Sequence, residues 1–276
     1  MVDLNKIKEV CAKYGITPSK SKGQNFLFDQ NIINKIITSA NIKKEETVLE
    51  VGPGVGVLTG ELVKKSNKVI AVEIDKRILD FLRVEFLDQK NLELVDNDVL
   101  RLDRASIGLK NFKYKIVANL PYNITSKFLR LFLEQEPKPS EMILMVQKEV
   151  AQRIVAKVGD MSLLSLSCQF YGDPEILFLV TRNSFWPVPD VDSAVIRLKL
   201  KQKLSNISEK RLFQIAHMGF SSKRKQMHNN LSAGLKVPND EIKKILVSLG
   251  FDEKIRAQDL GVDDWIRLVD KLGPHL

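Results

Sequence analysis

From residue 46 to residue 200 the chain alternates short apolar, β-branched runs with segments whose apolar positions recur every three or four residues. Near-continuous apolar runs predict strands buried on both faces, and the helical period between them predicts the crossovers of a mainly parallel sheet covered on both sides. Runs at 47–51, 68–73, 92–95, 114–118, 142–146, 175–180 and 193–200 give seven strands. Helices are expected at 58–65, 76–88, 125–134 and 148–158. The last two runs are separated by a stretch holding Asn183, Pro187 and Pro189. Such a stretch reads as a loop, so these two strands are expected to form an antiparallel edge.

Beyond Lys203 the period becomes purely helical, at 209–220, 240–249 and 262–272, with Pro238 and Gly250 as breakers. A sheet domain over residues 1–203 and a small all-α domain over 204–276 are therefore expected. The N-terminus adds a short helix at 4–13 and a polar, basic stretch at 17–25.

Composition is that of an ordinary globular protein, with 276 residues, 44% hydrophobic and 28% charged. Charge changes the picture. The net charge is +9, and residues 199–236 alone hold nine basic residues and one acid. Clustered Lys and Arg are the footprint of a phosphate-binding surface, against the plainer alternative of a solvated linker and helix face. No apolar run approaches the roughly 18 residues needed to cross a bilayer, and the N-terminus has no signal-peptide core, so a cytoplasmic protein is expected. Cys11 and Cys168 lie far apart and read as reduced thiols. His217, His228 and His275 are scattered, so no metal site is expected.

The first strand-to-helix turn reads Glu50-Val-Gly52-Pro-Gly54-Val-Gly56. Glycines there let the backbone approach a ligand at the carboxyl edge of the sheet. Glu73 ends the second strand, where a carboxylate can accept both hydroxyls of a ribose. Asp98, after the third strand, can take the exocyclic amine of an adenine ring. Singly, each acid reads as a strand-end turn or a helix cap; together, on one sheet edge, they read as a nucleoside site. The fourth strand runs into Asn119-Leu-Pro-Tyr122. An adenine amino group is a poor nucleophile because its lone pair is delocalised into the ring. An Asn oxygen and a neighbouring carbonyl can accept its two N–H bonds and free that lone pair, and Tyr122 offers a stacking face for a flipped-out base.

These residues resemble the S-adenosylmethionine-dependent N6-adenine methyltransferases and, more closely, the small-subunit (16S) type of the ribosomal RNA adenine N6-dimethyltransferase family. The resemblance spans nearly the whole chain: Gly-Gln-Asn-Phe-Leu at 23–27, the glycine loop, Val-Glu-Ile-Asp at 72–75, Asn-Asp at 97–98, Asn-Leu-Pro-Tyr-Asn-Ile at 119–124, Phe-Trp-Pro-Val-Pro-Asp-Val-Asp-Ser at 185–193 and Phe-Ser-Ser-Lys-Arg-Lys at 220–225. It implies a Rossmann-like α/β methyltransferase sheet of seven strands, the last pair antiparallel, with a small all-α C-terminal domain. S-adenosyl-L-methionine would contact Asn25, Leu27, Gly52, Glu73, Asp98 and Asn119. Asn119 and the Leu120 carbonyl would orient the target nitrogen, and Tyr122 and Phe185 would sandwich the base. Lys20, Lys22, Lys223, Arg224 and Lys225 would bind RNA. No general base is required, since the methylated product is acidic enough to lose its proton to solvent.

The implied partner is 16S rRNA within a precursor of the small ribosomal subunit, with the enzyme a monomer and no membrane involved. Two departures from the family pattern lie outside the cofactor and target-base motifs: Met161-Ser162 in place of Tyr-Gly, and Gln226, Met227 and His228 in place of a more arginine-rich run. Alternatives are a large-subunit rRNA adenine methyltransferase of the antibiotic-resistance type and a factor acting chiefly by binding during ribosome assembly. A nicotinamide-dependent oxidoreductase fits worse, because the glycine spacing is wrong for a dinucleotide.

Overall fold

The computed structural model describes residues 4–18, 23–202 and 207–272. Packing separates the chain into a sheet unit, running to Ala151 and again over Asp173–Leu200, and a helical unit formed by Gln152–Gly172 and the chain from Lys201 onward. The helical unit thus draws a segment from the middle of the chain, where the sequence suggests a single boundary after residue 203.

The sheet unit begins with α1 (Leu4–Lys13), β1 (Phe26–Leu27) and α2 (Gln30–Ala40). It continues with β2 (Thr47–Val51), α3 (Val57–Lys65), β3 (Lys68–Glu73), α4 (Lys76–Glu85) and β4 (Leu92–Asp96). Then come β5 (Tyr114–Asn119), α5 (Thr125–Glu134), β6 (Glu141–Gln147) and α6 (Lys148–Ile154), the last crossing into the helical unit. β7 (Gly172–Val180), β8 (Phe185–Trp186) and β9 (Ser193–Leu200) complete it. Seven strands lie in the order β4-β3-β2-β5-β6-β9-β7. β2 to β6 pair in parallel, and β9 runs antiparallel to β6 with Ile143 opposite Arg197. All seven expected strands are present, with β7 beside β9 at the edge.

The order reverses between β2 and β5, because the chain builds outward through β3 and β4 and then returns to the other side of β2. Loops at the carboxyl ends of these two strands diverge, and the crevice between them is where open α/β sheets bind ligands. One core forms where Ile33 and Ile36 of α2 and Leu58 and Leu62 of α3 meet Val48, Val117 and Val195 of the sheet. A second joins Ile7 and Val10 of α1 to Ile78, Phe81 and Leu82 of α4.

Three helices were not anticipated from the pattern: α2, α7 (Leu163–Tyr171) and α9 (Met227–Leu235). Expected helices also end early, α4 at Glu85 rather than 88 and α6 at Ile154 rather than 158. The Gln169 side chain of α7 explains the second, because its Nε2 donates to the Ile154 and Ala156 carbonyls and caps α6 from outside.

The helical unit packs α7, α8 (Glu209–Gly219), α9, α10 (Asn239–Ser248) and α11 (Val262–Leu272) around the fully buried Trp265. The two family departures are structural here. Ser162 caps α7 in a reciprocal box with Ser165, Met161 is buried, and Met227 and His228 are core residues, with His228 Nδ1 bonded to the Glu253 carbonyl.

Candidate active site

The crevice holds a cleft whose lining includes Asn25, Leu27, Glu50, Gly52, Glu73 and Asn119. A neighbouring cleft shares Gly52, Glu73, Ile74 and Pro121 with the first and adds Asn97, Asp98 and Asn123. Six sequence-predicted cofactor residues therefore converge on one continuous edge of the sheet, each delivered by a strand end or by the strap at 23–27.

The floor is the loop after β2. Gly52, Gly54 and Gly56 all have positive φ, the backbone region where a Cβ is strained. At Gly56 a Cβ would also lie 2.5 Å from Phe86, so this turn accepts only glycine. Gly54 is similarly hemmed in, its missing Cβ position 3.0 Å from the Phe26 ring of the strap.

Glu73 is almost fully buried at the end of β3, and its Oε1 accepts from the Ile74 and Asp75 backbone N–H groups at 2.9 Å. Burial raises its pKa, and these backbone donors offset that rise only in part. Glu50 on β2 is 1% exposed and accepts a 2.7 Å hydrogen bond from the Thr59 hydroxyl. Burial pushes its carboxyl up to about 8, and the Glu73 charge adds to that. Asp98 uses Oδ1 to accept from the Leu100 N–H, and Arg101 lies 3.8 Å from Oδ2.

The Asn119 Nδ2 donates to the Asn25 carbonyl at 3.1 Å. That bond fixes which way the amide points, leaving Oδ1 as an acceptor at the cleft. The preceding sheet bond, from the Leu120 N–H to the Met145 carbonyl, anchors the turn, and no described residue donates to the Leu120 carbonyl. Tyr122 is partly exposed, and its hydroxyl shares a 2.6 Å hydrogen bond with the fully buried Ser193 Oγ.

Phe185 sits beside the strap. It is 1% exposed, pairs with Leu27 across the short β1–β8 ladder, and belongs to the α2–α3 core rather than to either cleft. Lys20 and Lys22 lie outside the described residues. Lys223, Arg224 and Lys225 are exposed on the turn between α8 and α9. The buried Asn230 shapes that turn by donating to the Gly219 and Ser222 carbonyls.

Sequence reasoning missed three features. Asn25 contributes its backbone carbonyl, Glu50 floors the cleft rather than merely preceding the glycines, and Ser193 holds Tyr122. The first and last depend on partners 94 and 71 residues away in sequence, which no local pattern marks.

An amide oxygen held ready for an amine, beside a cleft shaped for a nucleoside, places the protein among the α/β enzymes that use a nucleoside cofactor for group transfer. The ribosomal RNA adenine dimethylase family matches residues 17–273. The ribosomal RNA small subunit methyltransferase A of Dehalococcoides mccartyi is 43% identical over 95% of this chain and 90% of its own length. That of Clostridioides difficile is 40% identical over 95% and 93%. The crystal structure of a dimethyladenosine transferase from Plasmodium falciparum superposes with a TM-score of 0.80 at 28% identity, covering 91% of this chain and 98% of that one. The chain belongs to the ribosomal RNA adenine dimethylase family. It is an rRNA methyltransferase, and its methyl donor is S-adenosylmethionine.

The residues present fit that cofactor. A buried carboxylate and a second acid on successive strand ends suit a ribose and an adenine amine, and the positive-φ glycines let the backbone approach closely.

Proposed function

We infer that this protein transfers methyl groups from S-adenosylmethionine to N6 of two adjacent adenines in a hairpin near the 3′ end of 16S rRNA, giving N6,N6-dimethyladenosine during small-subunit biogenesis. The observation that carries this reading is the Asn119 amide, oriented by Asn25 at the switch point of a chain so similar along its length to small-subunit enzymes. When bound, S-adenosylmethionine supplies a methyl group on a sulfonium sulfur, an electrophile that needs no further activation.

The residues do the rest by positioning. Glu73 accepts from the ribose hydroxyls, Asp98 from the adenine amine of the cofactor, and Gly52, Asn25 and Leu27 enclose its amino-acid side. Asn119 Oδ1 and the Leu120 carbonyl accept the two N6 hydrogens of the target adenine, drawing its lone pair out of the ring. Tyr122, tethered by Ser193, stacks on the base, while Phe185 supports the strap from the core. The methylated nitrogen then loses a proton to solvent. Lys223, Arg224 and Lys225, with Lys20 and Lys22, neutralise RNA phosphates. The enzyme acts as a cytoplasmic monomer on a precursor of the small subunit; no described helix is long and apolar enough to cross a membrane.

Mass mapping of small-subunit RNA, after incubating undermethylated particles with the protein and labelled cofactor, tests this reading. Up to four methyl groups on two neighbouring adenines are expected, and no incorporation refutes the assignment. A large-subunit target is the second reading, favoured by the superposition on a 23S rRNA methyltransferase with a TM-score of 0.72 and 28% identity. Methylation of protein-free 23S rRNA in preference to small-subunit particles would support it.

A further inference from the structure

Two carboxylates share the cofactor cleft, and the roles above employ only Glu73. Glu50 lines the same cleft although it is 1% exposed. Its surroundings are unusual for an acid. From α3 it meets the hydroxyl and backbone of Thr59 and from β3 the Glu73 carboxylate, while β5 adds only the neutral Asn119 amide to the cleft lining and the strap at 23–27 no ionisable side chain. Behind Glu73 stands Asp75, already paired with Arg77 at 2.8 Å. Among the described residues no cation faces the two acids across the cleft. Desolvation, opposed by Thr59 and reinforced by Glu73, sets the Glu50 carboxyl at about 8, so it holds its proton at neutral pH.

The cofactor assigned above brings a net positive charge to this acidic cleft, because the ammonium and sulfonium of its amino-acid end are only half offset by its carboxylate. We propose that Glu50 is a charge-sensing positioning residue, which gives up its proton to solvent when the cationic end of the cofactor enters the cleft and takes one back when that charge departs. This rests on the assignment of the cleft to S-adenosylmethionine. The charge balance closes, since one positive charge enters as one proton leaves. Ionised Glu50 then steadies the cofactor's amino-acid side, and protonated Glu50 spares the empty cleft a second buried anion beside Glu73.

Calorimetry of S-adenosylmethionine binding to the full chain, in phosphate and in Tris at pH 7, counts protons without turnover. About 0.9 proton released per site is expected, because a carboxyl with a pKa near 8 is roughly 90% protonated at pH 7. The logarithm of the affinity is then expected to rise with nearly unit slope between about pH 6 and 7.5. Glu50→Gln is expected to bind more weakly, with no proton release and a flat profile. S-adenosylhomocysteine, which lacks the sulfonium and so carries no net charge, tests the balance: release with the methyl donor alone supports the proposal, and equal release with S-adenosylhomocysteine would overturn it. Adenosine carries neither cation, so proton release with it would overturn the proposal. Absence of any cofactor binding refutes the cofactor assignment itself. Binding without proton release, or unchanged release from a folded Glu50→Gln variant, refutes the role of Glu50 alone. Should that variant not fold, the wild-type proton count and slope decide.

Discussion

Asn119 gives the sharpest test of the site, because its two amide atoms have different tasks. Nδ2 donates to the Asn25 carbonyl, and Oδ1 is thereby left for its proposed role of accepting from the substrate amine. Asn119→Ala removes both. Asn119→Asp keeps the size and an acceptor but cannot donate, so it sets a carboxylate oxygen about where the amide nitrogen stood, 3.1 Å from the Asn25 carbonyl. Repulsion between two acceptors at that distance turns the group or opens the strap. Loss of one oriented polar group at a reacting centre costs roughly 10²–10³ in rate, about 3–4 kcal/mol of transition-state stabilisation. Both variants are therefore expected to lose roughly that factor in the single-turnover rate of methyl transfer. Folding stability should fall by only about 1 kcal/mol, the worth of one hydrogen bond. RNA affinity, measured by filter binding, should stay within about threefold, since the phosphate contacts proposed for Lys223 to Lys225 are unchanged. An Asn119→Asp enzyme working within threefold of the wild-type rate would refute the claim that the Asn25 bond orients the amide.

The remaining expectations follow from the same structure. In the ligand-free protein the Glu50 pKa is raised from 4.5 to about 8, so between those values the folded chain holds a proton that the unfolded chain has lost. Its contribution is therefore best at low pH and is lost as pH rises through that window, by at most about 1.4 kcal/mol per pH unit, and urea titrations of wild type and Glu50→Gln should differ in that slope. Lys115 Nζ is held among the Ala40 and Asn41 carbonyls at 3.0 and 3.1 Å and the Glu46 and Glu141 carboxylates at 3.3 Å. Lys115→Met leaves those acceptors uncompensated and should cost about 3 kcal/mol in urea unfolding; a loss under about 1 kcal/mol would show that water replaces the ammonium. Changing Lys223, Arg224 and Lys225 together to Ala should weaken RNA binding and flatten its salt dependence by up to about 0.9 log unit per lost contact, and an unaltered slope would mark the turn as merely solvated.

The parts of this protein that were legible in its sequence are those whose burial is decided locally. β2, β3, β5 and β6 are covered on both faces, so they read as unbroken apolar runs, and their ends carry the acids and the Asn119 turn because strand ends are where the sheet meets solvent and ligand. α2 escaped because four isoleucines in eleven residues read against helix propensity, although Asp29 caps it and Ile33, Ile36 and Ala40 keep helical spacing on its buried face. α9, rich in Asn, Ser and Gly, is likewise a weak helix by propensity, and it persists through the burial of Met227 and Leu231. The site shows the same division. Glu73 and Asp98 could be located at the sheet edge from their own strands, whereas the burial of Phe185 is set by Leu27, on a strand 158 residues earlier, which no local pattern marks. The same pairing carries a mechanical implication. β8 holds β1, β1 belongs to the strap, and the strap supplies both the Asn25 carbonyl that turns the Asn119 amide and the Phe26 ring that closes on Gly54. Phe185, read from sequence as a partner of the base, thus also bears on the segment that orients the Asn119 amide, the group proposed to receive the base.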